Sequence, residues 1–154
     1  MRAGTRPLAA LVLGLLALGG PAVADMTKPP PAAPSPSAST AEEEFNRGSR
    51  ARAAKDYKSA AAAFRRAVEL RPTYAEAWNG LGYALRQQGQ YPESLQAYDE
   101  ALRLRPDFPK ALEYLGEAYV KLGRLDDARR TLERLKPLDP GRARELAEAI
   151  AKGK

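Results

Sequence analysis

The chain has neither cysteine nor histidine. That excludes disulfides, thiolate nucleophiles, Cys/His zinc sites and any triad that needs an imidazole. Carboxylates are left as the groups able to do chemistry unaided. Glu113 and Glu117 stand one helical turn apart, and i,i+4 carboxylates can hold a weak metal or divide acid and base roles. Lys110 and Lys121 flank them, so the ordinary account is two exposed, mutually repelling carboxylates. Asp126/Asp127 and Glu42–Glu44 fall at expected helix starts, where the positive end of the helix dipole explains them without catalysis. No glycine-rich phosphate loop of nucleotide-binding spacing occurs. The expectation is a non-enzyme with no cofactor and no metal.

A second constellation concerns binding. Trp78, Leu81, Gly82 and Leu85 make a packed helical stripe, which leaves Asn79, Tyr83 and Arg86, spaced by four and three, on a different face. A tyrosine supplies contact area, an amide pairs with peptide backbone and a guanidinium grips a carboxylate. The plainer alternative is a tyrosine half-covered by its neighbour helix beside two solvated polar residues.

The elements that carry these residues recur. "WNGLGYALRQQGQYPESLQAYDEALRLRP", Trp78 to Pro106, is helix-forming yet interrupted by Gly80, Gly82, Gly89, Ser94 and Ala101. Steps of 34 residues from Gly82, Ser94 and Pro106 reach Gly48, Ala60 and Pro72 in one direction and Gly116, Ala128 and Pro140 in the other. Such a period with helix–turn–helix texture marks an α-solenoid. The pattern Trp78, Leu81, Gly82, Ser94, Tyr98, Ala101, Pro106 resembles the tetratricopeptide repeat, with Leu85 where tyrosine is usual. The next repeat shows Leu112, Leu115, Gly116, Tyr119, Gly123, Ala128 and Pro140, and departs at Leu132 and Leu135. The first keeps Gly48, Tyr57, Ala60, Phe64, Ala67 and Pro72, but places Glu44, Arg47 and Lys55 where Trp78, Leu81 and Gly89 stand later. A terminal repeat with no outer neighbour accounts for Glu44; Arg47 occupies a place that usually packs inside the hairpin.

The resemblance implies an all-α fold: an α-solenoid of three helix–turn–helix hairpins over 41–74, 75–108 and 109–142, closed by a capping helix over 142–152. Mid-helix Gly82 and Gly116 cost roughly 0.5–1 kcal/mol each relative to alanine. Close approach of the facing helix at Ser94, Ala101 or Ala128 is expected to offset that. Gly89 and Gly123 are expected helix stops, Pro92 a first-turn residue, and Pro72, Pro106 and Pro140 terminators. Ser39 or Thr40 is placed to cap the first helix. In "GRARELAEAIAKGK", Ala143, Leu146, Ala147 and Ile150 share one stripe.

Residues 1–24 have two arginines, an apolar run from Leu8 to about Leu18, and small residues at Ala22 and Ala24. That is the form of a secretory signal peptide cut after Ala24, and the run is shorter than the ~20 residues that span a bilayer. Without a following cysteine, bacterial lipoprotein attachment is not open to it. Residues 25–40, with five prolines, read as a disordered linker. The expected location is periplasmic or secreted, with no stable membrane insertion after cleavage. The formal charge of +6 includes Arg2 and Arg6, and their removal leaves +4. No basic run is long enough for a phosphate track, so nucleic acid is not an expected partner.

The resemblance also implies where a partner sits: on the inner wall made by the first helix of each repeat. The corresponding places are Glu42, Phe45, Asn46, Ser49 and Arg52; Glu76, Asn79, Tyr83, Arg86 and Gln87; and Lys110, Glu113, Tyr114, Glu117 and Lys121. The family's clamp for the terminal carboxylate of chaperone tails is matched only by Lys110, since its other places hold Phe45, Ser49, Gly80 and Tyr114. The implied function is an adaptor or scaffold that binds a protein or peptide segment of another envelope protein. The alternative is a structural component that self-associates into a homo-oligomer.

Overall fold

A computed structural model describes residues 39–153, all helix and tight turn. The expected signal peptide and most of the proline-rich linker lie outside the described residues. Among the described residues seven helices run in order: α1 (Ala41–Ala53), α2 (Tyr57–Leu70), α3 (Ala75–Gln87), α4 (Tyr91–Leu104), α5 (Pro109–Lys121), α6 (Leu125–Leu135) and α7 (Pro140–Lys152). Each packs on the next, and α1 also meets α3, α3 meets α5 and α5 meets α7. The fold is therefore a helical solenoid of hairpins whose odd-numbered helices form one wall.

Local chemistry sets the helix ends. Thr40 caps α1 reciprocally: its Oγ1 accepts from the Glu43 N–H at 3.2 Å, and the Thr40 N–H donates to Glu43 Oε2 at 2.8 Å. Asp56 caps α2 through the Ser59 N–H, and Asp139 caps α7 through the Arg142 N–H. The three hairpin turns share one conformation. Gly89 and Gly123 sit at φ 76° and 70°, and Lys55, at the same place in the first hairpin, is forced to φ 59°.

Phe64 is enclosed at 1% exposure because glycine faces it on two sides. A Cβ on Gly48 or on Gly80 would lie 2.9 or 2.7 Å from its ring. Gly82 likewise faces the ring of buried Tyr98, and Gly116 faces Leu146 of α7. The glycines thus receive large side chains rather than meeting the small residues Ser94, Ala101 and Ala128. The core is filled by rings and leucines dropped into backbone notches.

Two further details differ from the expectations. Glu44 is buried and Arg47 exposed, the reverse of the simple terminal-repeat reading. Glu44 turns inward to accept from the Ser39 hydroxyl at 2.6 Å, and Arg47 reaches back to it at 2.5 Å. Pro140 opens α7 instead of ending α6, because α6 already stops at Leu135 ahead of Pro137. A proline in the first turn of a helix lacks only an N–H that has no intrahelical partner. Leu146 and Ile150 of α7 are buried, with Ala143 beside them and Ala147 half-covered at the edge.

Candidate functional site

The odd-helix wall carries an aromatic ridge. Tyr57 at the start of α2, Tyr83 on α3 and Tyr114 on α5 are each half-exposed, with ring centroids 6.2 Å apart for the first pair and 5.0 Å for the second. Arg52 lies 5.6 Å from the Tyr83 centroid, and Arg86 lies 5.4 Å from both Tyr83 and Tyr114. Guanidinium groups beside the ring faces add cation–π attraction along the ridge. Burial pushes the Tyr114 hydroxyl above the usual tyrosine range, with Glu113 adding to it.

Arg86 is not a free hand on an open face. Its side chain is 10% exposed and meets Glu117 of the next repeat at 2.5 Å. Burial works against its charge, yet Tyr98 and Glu117 beside it hold the guanidinium above its ordinary value. Tyr98 itself is pushed far up by burial. Asn79 is not open either: it is 4% exposed, and its Oδ1 has no hydrogen-bond partner among the described residues. Helix α3 is covered on both sides by α1 and α5, which a reading of one helix alone cannot register.

Glu113 and Glu117 are also not the exposed, repelling pair expected. Glu113 is 4% exposed and bonded to Arg142 of α7, while Glu117 is held by Arg86. Each carboxylate has its own arginine from a different helix. Burial raises the Glu113 carboxyl above its usual range, Arg142 pulls it back, and Glu145 and Glu117 push it up again. Among the described residues no group of three carboxylates is placed to hold a metal ion.

The remaining wall residues divide by helix. Asn46 is exposed, and Phe45, Ser49, Arg52 and Lys110 are half-buried. Phe45 stacks on Tyr74 at 5.0 Å and on Phe64 at 5.6 Å. Phe45, Arg52, Asn79 and Lys110 converge, with Phe64, Glu76, Gly80 and Phe108, around a cavity of about 210 Å³. Arg86, Gln87, Glu117 and Lys121 line a second of about 520 Å³ against the end of α7. Tyr57 and Phe64 read from the sequence as repeat packing residues, and neither they nor Phe108 as groove residues, since two of them belong to even helices and the third precedes α5. The signal that would have found Phe64 is Gly80: a second glycine two residues before Gly82 makes room for the preceding repeat's ring.

Family models for the tetratricopeptide repeat match residues 45–74, 63–96 and 110–137, and a TPR repeat model matches 82–123, an unbroken run from 45 to 137. The chain belongs to the tetratricopeptide-repeat family. Solved tetratricopeptide domains share its fold. The Arabidopsis OM64 TPR domain superposes with a TM-score of 0.70 at 19% identity, over 75% of this chain and 97% of that one. The TPR2B domain of yeast Sti1, in its pHsp70 complex, gives 0.70 at 22% identity over 73% and 94%. The second TPR domain of human RPAP3, in complex with an HSP70 peptide, gives 0.68 at 24% over 72% and 94%. No curated protein sequence matches the chain significantly. No helix among the described residues is long and apolar enough to cross a membrane.

Proposed function

We propose that this tetratricopeptide protein is a non-catalytic adaptor of the bacterial cell envelope, exported by its N-terminal leader, which binds a segment of another envelope protein along the odd-helix wall. The observation that carries the reading is the Tyr57–Tyr83–Tyr114 ridge with Arg52 and Arg86 against it, crossing all three repeats. Half-exposed tyrosine and arginine are the side chains that concentrate binding energy at protein interfaces. The peptide complexes of the Sti1 and RPAP3 domains support a protein ligand for the same fold. Pairing of Glu113 with Arg142 and of Glu117 with Arg86 fits a structural use of those carboxylates rather than a catalytic one.

The test uses the chain from Asp25 onward as bait in periplasmic extract, wild type against Tyr83→Ala and Tyr114→Ala. Because both rings flank the Arg86 side chain, urea unfolding of each variant is measured first, and partner recovery is compared only between chains that are folded under the assay conditions. Loss of a wild-type partner from both variants supports the reading, and equal recovery removes it. N-terminal sequencing of the exported chain is expected to begin at Asp25; retention of Met1 would refute cleavage after Ala24.

A further inference from the structure

Trp78 is the chain's only tryptophan, and it opens onto a groove that the odd-helix wall does not use. With Leu81 and Leu85 of α3 it floors a cavity of about 570 Å³, walled by α2 at Arg65 and by α4 at Glu93, Ala97 and Asp99. Leu81, Leu85 and Ala97 are buried and Trp78 is half-covered, whereas Arg65, Glu93 and Asp99 are exposed. The floor is therefore apolar and the rim charged, in a volume of the size that holds ligand groups. The Trp78 N–H already donates to the Pro72 carbonyl at 2.8 Å, which fixes the ring and leaves its apolar surface for a ligand.

Charge specifies that ligand. Glu93 and Asp99 make no ion pair among the described residues, and Glu100 on the same rim is bonded to Arg103. The arginines whose charge reaches Asp99, Arg124 and Arg134, are engaged by Asp127 and by the Pro106 carbonyl. Arg65 offsets one of the two free carboxylates, so the rim stays negative in a chain of net charge +6. The aromatic rings point the same way. Tyr74, Tyr83, Phe108, Tyr114 and Tyr119 each have an arginine of this chain beside the ring. Trp78, the ring type that attracts cations most strongly, has none among the described residues. The groove lacks a cation and an apolar cover.

Its length fits both. Trp78 and Leu85 stand seven residues apart, about 10 Å along a helix. Alternate side chains of an extended segment lie on one face about 7 Å apart, so two of them fit along the floor. The bond between Arg105 at the end of α4 and Glu76 at the start of α3 shows that the two helices run antiparallel. Asp99 therefore stands toward Trp78 and Glu93 toward Leu85.

We infer that the groove between α2 and α4 docks an extended segment of another protein that carries a large apolar residue and an arginine two positions apart. The apolar side chain covers Leu81 and Leu85, and the guanidinium lies on Trp78 and pairs with Asp99. The groove lies on a different face of α3 from Tyr83 and Arg86, so the inference does not rest on the odd-helix reading. With both surfaces occupied, the protein bridges two partner segments.

The test applies acetylated, amidated and labelled heptapeptides with a central Leu-Ser-Arg, Leu-Ser-Gln or Gly-Ser-Arg to the chain from Asp25 onward, read by fluorescence anisotropy. Leu-Ser-Arg is expected to bind at least about tenfold tighter than either of the others, weakening as salt rises. Unlabelled Leu-Ser-Arg is expected to shift the tryptophan emission, which reports on Trp78 alone. Asp99→Asn, a near-isosteric change at an exposed residue, is expected to lose about five- to tenfold for Leu-Ser-Arg and nothing for Leu-Ser-Gln. Tyr83→Ala is expected to leave the Leu-Ser-Arg affinity unchanged. Equal affinity for the arginine and glutamine peptides, unaltered tryptophan emission, or indifference to Asp99→Asn overturns the inference. Loss of Leu-Ser-Arg binding in folded Tyr83→Ala also overturns it, since the peptide would then sit on the odd-helix wall. A dimer in light scattering that Asp99→Asn dissociates overturns it as well, by placing a second copy of the chain in the groove.

Discussion

Arg86 on α3 reaches Glu117 on α5 at 2.5 Å with its guanidinium lodged between the rings of Tyr83 and Tyr114. One side chain thereby ties the second repeat to the third through charge, π-face and burial together. In a solenoid, where each repeat is stable only through its neighbours, such a tie acts on the whole array.

Removing Glu117 should leave the Arg86 charge buried without compensation, the costly half of a broken ion pair. Glu117→Ala is expected to lose about 2 kcal/mol. Glu117→Gln keeps an acceptor in place and should lose about half as much. Urea unfolding followed by circular dichroism measures both. Equal losses would mean the contact works through packing and not charge.

The glycine notches give a contrast between two substitutions of the same type. In Gly82→Ala the new Cβ lies 2.7 Å from the Tyr98 ring, which is wholly enclosed and cannot turn aside. Overpacking of this kind costs about 1–3 kcal/mol, set against up to about 1 kcal/mol gained from helix propensity. A net loss of about 1–2 kcal/mol is expected. In Gly116→Ala the atoms met are the methyl ends of Leu146, 2.5 and 2.7 Å away; Leu146 is as enclosed as Tyr98, but its branched end can turn about χ2 where a ring cannot shrink. That variant should fall within about 1 kcal/mol of wild type. Thermal unfolding midpoints in the reverse order would disprove the assignment of Tyr98 as the rigid wall.

What was legible in the sequence follows from which interactions repeat. The 34-residue step exposed the hairpins because Gly82, Ser94 and Pro106 each do a local job that recurs in every repeat. Charge pairing recurs only in part: Glu42–Arg71 and Glu76–Arg105 repeat at the 34-residue step, but Arg86–Glu117 and Glu113–Arg142 join residues 31 and 29 apart, through crossings that occur once. Their residues therefore read as free groove groups until the neighbouring helix is placed. Asn79 was misjudged for the same reason, since its own helix offers it an open face and only α1 and α5 close it. Pro140 shows a local limit: its spacing matched Pro72 and Pro106, but Pro137 three residues earlier had already ended the helix.

Lys55 occupies the left-handed turn position at φ 59° that glycine fills in the other two hairpins. A side chain there costs about 1–2 kcal/mol, partly offset by the greater unfolded-state freedom of glycine. Lys55 is exposed and makes no ion pair among the described residues, so nothing else is lost on replacement. Lys55→Gly is expected to stabilise the array by about 0.5–1 kcal/mol. A lower unfolding midpoint for the variant would show that the lysine contributes something the turn geometry does not reveal.

Glu113 gives the pH dependence a definite sign. Burial holds its folded-state carboxyl above the ordinary value of 4.5, so the folded chain binds this proton more tightly than the unfolded chain. Acidification therefore favours the folded state at this residue: the gain grows as pH falls through the raised value and levels off below 4.5. Glu76, where burial is outweighed by the Arg105 bond, and Asp127, held down by Arg124, act in the opposite sense, losing stability as they protonate. Glu113→Gln removes the first contribution and leaves the other two. The stability of Glu113→Gln relative to wild type is thus expected to fall as pH is lowered from 7 toward 4, measured as the difference in Tm at each pH. A difference that stays constant, or moves toward the variant, would mean that Arg142 outweighs burial at Glu113 and that the carboxyl sits below its ordinary value.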